Sequence, residues 1–182
     1  ERGYIIRLDR GAHPPETCVT ELYRVPKGSL NPRGMDLDSH GTPWVAMAAT
    51  SQLARFDRGK CKKLNGPGTD LGDQCPDGWT VWQTPGPKFQ GTKYPADFHY
   101  FGWVDQHNAS GLGADTPFLT GSNSDALIAF DPKALDAVVD VPSFSAGVDG
   151  ASVALLPAII ADSDFSRAVG RGATRIGYRD MA

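Results

Sequence analysis

The chain has no basic run longer than the cluster Lys60, Lys62 and Lys63, and its formal net charge is −3. The electrostatic footprint that a phosphate backbone requires is therefore missing, which sets nucleic acid aside as a partner. No apolar stretch approaches the roughly 20 residues of a membrane span. The longest, Ala151 to Ala161, is broken by Pro157. There is no nucleophile-elbow sequence: Ser110, Ser122 and Ser124 sit in loops rich in Gly and Asn, so a Ser-based triad finds no support. Neither Met nor a signal-like apolar segment stands at the start, and Glu1 fits a mature, processed or excised chain.

What is present is turn chemistry. The 182 residues include 21 Gly and 14 Pro, with 40% hydrophobic and 21% charged residues. That length suits one domain with a real core, and that composition suits short strands joined by many turns. Three cysteines stand at 18, 61 and 75. Cys61 and Cys75 bracket a stretch of Gly, Asn and Asp with little apolar content to hold it closed. A disulfide between them closes a loop of about 15 residues, worth roughly 3 kcal/mol in the chain-entropy model. No second ligand at C-x2-C or H-x3-H spacing accompanies either, so zinc is not expected. Cys18 is left over, with a partner outside this chain as one reading.

The sequence repeats itself. "TPWVAMAATSQLARFD" at 42–57 aligns without a gap on "TPFLTGSNSDALIAFD" at 116–131. A strand ending in Pro also recurs, as "ELYRVP" (21–26), "TVWQTP" (80–85) and "AVVDVP" (137–142), each followed after a loop by Gly, apolar residues and Asp at Gly34, Gly102 and Gly147. The second spacing matches the about 40–45 residues of one four-stranded propeller blade. The first is longer by the size of the cysteine loop, so residues 61–75 read as an insertion. Two units follow, 34–85 and 102–142. Within them, alternation puts Leu53, Arg55 and Asp57 on one face and Ala54 and Phe56 on the other, and Val81 and Gln83 opposite Trp82 and Thr84. "DLDSHG" at 36–41 lacks the later oxygen ligands of a calcium loop and reads instead as a hairpin turn, with Asp capping backbone N–H groups and Gly41 at positive φ.

The stretch "ADFHYFGWVDQHN" at 96–108 carries two Asp-x-His pairs, Asp97/His99 and Asp105/His107. As one straight strand it places Asp97, His99, Phe101, Trp103, Asp105 and His107 on a single face, with the two pairs roughly 26 Å apart. One metal ion does not span that distance, although a bend at Gly102 would bring the pairs together. The competing expectation is an aromatic and polar ligand surface formed by Tyr94, Asp97, His99, Tyr100, Trp103, Asp105 and His107, a combination suited to sugars and peptides. Trp44, Trp79 and Trp82 are assigned to packing.

"RGMDLDSHGTPWVAMAATSQLARFD" resembles the blade pattern of the virginiamycin B lyase (streptogramin lyase) type of β-propeller. The middle of the chain, with "DFHYFGWVDQ" and "TGSNSDALIAFDP", is similar to propeller regions of large secreted bacterial proteins of the carboxypeptidase-regulatory-like kind. The likeness covers about residues 17–150. For the lyase family it implies a magnesium-assisted elimination that opens a cyclic peptide ester through His and Glu residues of later blades. Glu1, Glu16 and Glu21 all precede the first complete unit, so those motifs have no counterpart here.

The expectation is an all-β chain: a partial β-propeller of about two complete four-stranded blades plus flanking strands over 1–150, with a divergent, irregular C-terminal segment at 151–182. The expected role is a secreted or periplasmic binding or scaffold module for a carbohydrate, peptide or protein. The alternatives are a lyase with Mg or Ca at the channel mouth, and a structural subunit or homo-oligomer assembling through open sheet edges. No cofactor is predicted.

Overall fold

The computed structural model describes residues 2–84, 86–123 and 126–130. These form three antiparallel sheets, none closed, and no α-helix occurs among the described residues. The first sheet pairs β1 (Tyr4–Asp9) with β2 (Val19–Arg24). The second runs β3 (Pro32–Leu37), β4 (Pro43–Met47), β5 (Gln52–Phe56) and β6 (Trp79–Gln83) in spatial order. The third contains β7 (Gly102–Asp105), β8 (Thr116–Gly121) and β9 (Ala126–Ala129). The all-β expectation holds, and the order of strands foreseen for 34–85 is the order observed. The strand foreseen at 137–142 and the segment 151–182 lie outside the described residues.

The hairpins β4–β5 and β8–β9 pair in the same register. Trp44 faces Arg55 and Val45 faces Ala54; the shift that takes Trp44 to Phe118 turns these pairs into Phe118 with Ala129 and Leu119 with Ile128, both of which occur. The strands that enter each sheet also correspond. Met35 faces Val45, and Gly102 faces Leu119. The counterpart of Gly102 is thus Met35 rather than Gly34, because a bulge between Pro32 and Met35 moves the register by one. Asp38 then matches Asp105, and both cap the turn that follows. Asp38 Oδ1 accepts from His40 N at 3.0 Å and Thr42 N at 2.8 Å, with Gly41 at φ +78°. Asp105 accepts from Ala109 N at 2.9 Å and Ser110 N at 2.7 Å in a longer loop.

Period-2 alternation gives each sheet two apolar faces, and the sheets stack in chain order. Ile5, Tyr23 and Val25 of the first sheet pack on Val45, Met47, Ala54 and Phe56 of the second. On the other face of the second sheet, Trp44, Ala46, Leu53 and Trp82 meet Val104, Leu119, Ile128 and Phe130 of the third. Each large side chain buried in this way contributes on the order of 1.5–3 kcal/mol. Arg55 lies over the rings of Trp44 and Trp82 at 5.4 and 5.7 Å, a cation–π arrangement that lets a charged residue sit on an aromatic face.

Two further devices tie the sheets. Cys61 and Cys75 form the expected disulfide. Far from projecting as a free excursion, the loop it closes lies along β2: Gly72 O accepts from Arg24 N at 2.8 Å, and Gln74 Nε2 donates to Leu22 O at 2.9 Å. Beside it, Glu21 of β2 is buried and takes a two-pronged pair from Arg58, with Nε and Nη2 both at 2.7 Å. The hydroxyl of Tyr23 also donates to Glu21 at 2.7 Å. Hydrogen bonding to Arg58 holds the Glu21 carboxyl down at about 2, and burial together with Glu21 pushes the Tyr23 hydroxyl up to about 12.

Candidate functional site

The stretch 96–108 is not one strand. Only Gly102–Asp105 is extended in a sheet; residues 86–101 form the connection from β6, and residues 106–108 turn away after β7. The reason is geometric. Gly34 and Gly102 bring the backbones of β3 and β7 together so closely that a Cβ at Gly34 would collide with the main chain of Phe101 and Gly102. β7 also makes its own bonds to β3, with Val104 N donating to Asp36 Oδ2 at 3.0 Å and Gln106 Nε2 to Leu37 O at 2.7 Å. The expected single surface is consequently divided among three places.

Asp97 and His99 go inside, at the junction of the second and third sheets. His99 is fully buried, with Nδ1 2.7 Å from Thr120 O and Nε2 2.7 Å from Thr84 Oγ1. A carbonyl only accepts, so Nδ1 carries the proton. Thr84 Oγ1 lies 2.7 Å from both Nε2 and the Ser51 carbonyl. That carbonyl already takes Gln83 Nε2 at 2.5 Å and Thr84 N at 2.9 Å, whereas the bare Nε2 of a ring protonated at Nδ1 has this hydroxyl as its donor, so the hydroxyl proton is assigned to Nε2. Burial depresses the His99 basicity, with Thr120 O and the Asp97 carboxylate acting against that shift. Asp97 Oδ1 accepts from Asn123 N at 2.9 Å, and its carbonyl accepts from the Ser51 hydroxyl. These two residues join the loops at one end of the sheets and are closed to a ligand.

Tyr94 and Tyr100 go to the outside of the 86–101 connection, 63% and 49% exposed. Tyr100 packs edge-tilted on Phe98 at 4.7 Å, and the Arg33 guanidinium lies 5.1 Å from the center of its ring.

Trp103, Asp105 and His107 remain together. They line a hollow of about 400 Å³ with Gln106, Phe118 and Leu127 on the outer face of the third sheet. Its floor is the indole of Trp103 stacked on Phe118, ring centers 4.6 Å apart and 8° from parallel. Its rim is the loop that Asp105 caps. Burial alone would raise the Asp105 carboxyl; the N–H and hydroxyl of Ser110, with the N–H groups of Ala109 and His107, outweigh it and hold the group below the ordinary carboxylate range. Asp105 therefore serves as a fixed anion that shapes the loop, while the exposed His107 ring and the Gln106 amide give the rim its hydrogen-bonding groups.

A Ser, a His and an Asp also meet at the neighboring turn, but not as a charge-relay set. Ser39 Oγ donates to Asp115 Oδ2 at 2.6 Å, and His40 Nδ1 stands 3.7 Å from the same carboxylate. The hydroxyl also lies 3.3 Å from His40 Nδ1, so the carboxylate and the imidazole both contact the serine directly, instead of standing in the Ser–His–Asp order that a relay needs. Among the described residues no group of three or more His, Cys, Asp or Glu side chains is arranged to hold a metal ion.

The hollow uses residues that the sequence did not single out. Phe118 is visible only as the counterpart of Trp44, and Gln106 has no local signal at all. No protein-family model, curated protein or solved structure matches the chain. Among the described residues no helix is long and apolar enough to cross a membrane.

Proposed function

We propose that the chain is a section of an extracytoplasmic β-propeller that acts as a binding module, taking a carbohydrate or peptide at the Gln106 and His107 rim over Trp103, while Phe118, the counterpart of Trp44, lies on the face where a further blade would stack. The observation that carries this reading is the stacked aromatic pair under a rim of Gln106 and His107, set in a hollow of about 400 Å³. Aromatic faces bind the C–H faces of sugars and the side chains of peptides, while a few polar groups at the edge fix orientation.

The propeller reading is supported by the way the sheets stack. Like faces turn the same way in each sheet: Ile5 and Tyr23 face the second sheet as Leu53 and Trp82 face the third. The entry strands β3 and β7 meet backbone to backbone, as the inner strands of neighboring blades would. The disulfide favors an oxidizing compartment.

The test is titration of the chain against a panel of glycans and peptides, followed by tryptophan fluorescence. Trp103→Ala and His107→Ala weaken a bound ligand by about tenfold or more, each tenfold being 1.4 kcal/mol. Tyr94→Ala leaves it unchanged. A panel without a single binder, or a binder indifferent to Trp103→Ala, overturns the reading.

A further inference from the structure

Among the described residues β1 is paired on one side only. Val25 N donates to Gly3 O, and Arg24 N turns away from β1 to donate to Gly72 O. Antiparallel ladders alternate bonded and non-bonded pairs, so Gly3, Ile5 and Arg7 spend their main-chain groups on β2. The N–H and C=O groups of Tyr4, Ile6 and Leu8 then point to the open edge. The side chains of those same residues are bare, Ile6 at 63% and Leu8 at 62% exposure.

What is missing beside β1 follows from the second sheet. The Ile5–Tyr23 pair corresponds to Leu53–Trp82. The turn after β1, where Gly11 N donates to Asp9 Oδ1, repeats the turn after β5, where Gly59 N donates to Asp57 Oδ1. β1 and β2 thus occupy the positions of β5 and β6, and no described strand occupies the positions of β4 and β3. The gap has a floor. Val104 is 6% exposed beneath Trp44 and Ala46, whereas its counterpart Leu37, one sheet back, is 42% exposed, with Met35 beside it at 47%.

We propose that this cleft, walled by the edge of β1 and floored by Met35 and Leu37, is a docking site for an extended strand of another protein. The strand adds antiparallel to β1, takes hydrogen bonds from Tyr4, Ile6 and Leu8, and covers Met35 and Leu37 with apolar side chains. In its own sheet the equivalent position is held by Pro-Trp-Val-Ala-Met, with its last four residues buried. The incoming strand therefore needs four or five apolar or β-branched residues in succession. Pairing β1 with β1 of a second copy is excluded by shape. That symmetry turns the inner faces of both β1–β2 sheets to the same side, and the two four-stranded sheets stacked there would occupy one space.

The experiment adds to the 182-residue chain a fluorescent peptide with the sequence of residues 32–47, which supplies both missing strands. Saturable binding is expected. An N-methyl group on the peptide's Val45, whose N–H would face β1, weakens it by about tenfold or more, and Ile6→Pro does the same, because Ile6 N–H lies on the open side and the ladder to β2 is spared. Trp103→Ala leaves peptide binding intact, which separates this cleft from the hollow. Absence of saturable binding, or binding indifferent to the N-methyl group, overturns the proposal even if Ile6→Pro fails to fold. Self-association of the free chain that the unmodified peptide reverses overturns it too, since a second copy would then be the occupant.

Discussion

The imidazole of His99 and the hydroxyl of Thr84 lie 2.7 Å apart at the point where the connection from β6 crosses to the third sheet. The other ring nitrogen bonds Thr120 O on β8, so one neutral side chain bridges the two sheets with both its polar atoms satisfied. A buried group satisfied in its neutral form resists protonation, and the cost of charging it falls on the junction itself.

Folding stability accordingly falls with acid, beginning near neutrality. The folded pKa of His99 lies below 6.5, so the unfolded chain takes up the proton first as pH falls. The contribution is complete above about 6.5 and is lost as pH drops from there toward the folded pKa. Urea midpoints measured from pH 8 to pH 5 are expected to decline over this window, and the decline disappears in His99→Gln. A flat profile in the parent chain contradicts the neutral buried ring.

A second acid limb lies lower and belongs to Glu21. Its carboxyl is held at about 2 against an ordinary 4.5, so its contribution is present above about 4.5 and is lost between there and about 2. Glu21→Gln removes the charge-assisted bonds to Arg58 and costs about 2 kcal/mol at neutral pH. Its stability should also vary less than the parent's between pH 5 and pH 3, measured by thermal unfolding.

Much of this fold is written locally and some of it is not. Asp38 and Gly41 announce their turn within five residues, and the 42–57 pattern returns at 116–131, because strand alternation and turn caps depend on near neighbors. "RLDRG" at 7–11 echoes "RFDRG" at 55–59, a local signal for β1 as the counterpart of β5. Asp97 and His99 were harder. Their spacing matches that of Asp105 and His107, yet period-2 reasoning assigns them a strand face, whereas residues 97–101 lie outside any sheet and are held by Thr84, Thr120 and Asn123. Those partners are distant in sequence. The hollow likewise depends on Phe118 standing under Trp103, a relation fixed by pairing between β7 and β8.

The disulfide does more than close its own loop. Cys61→Ser with Cys75→Ser is expected to cost about 3 kcal/mol from chain entropy. It also frees the strip that caps β2, so hydrogen exchange at Arg24 N–H, bonded to Gly72 O, should accelerate more than exchange at Val25 N–H, bonded to Gly3 O. Equal acceleration at both would mean that the loop only constrains the unfolded chain.

Among the described glycines, a Cβ at Gly34 would make the shortest contact. Its φ is not left-handed, so the objection to Gly34→Ala is contact: the new Cβ would meet the Phe101 and Gly102 main chain, which has no flexible end to move. β3 and β7 must part, at a cost of about 1–3 kcal/mol by comparison with overpacked cores. For a chain of this size that lowers Tm by about 2–4 °C per kcal/mol. The separation should be visible where the strands are joined, as faster exchange of Val104 N–H once its bond to Asp36 Oδ2 lengthens. Gly41→Ala makes a useful contrast, because space is open there and any cost arises from φ +78° alone, leaving Val104 protected. If Gly34→Ala melts with the parent chain and Val104 stays protected, β3 and β7 are not in backbone contact, and the proposed propeller reading loses its strongest support.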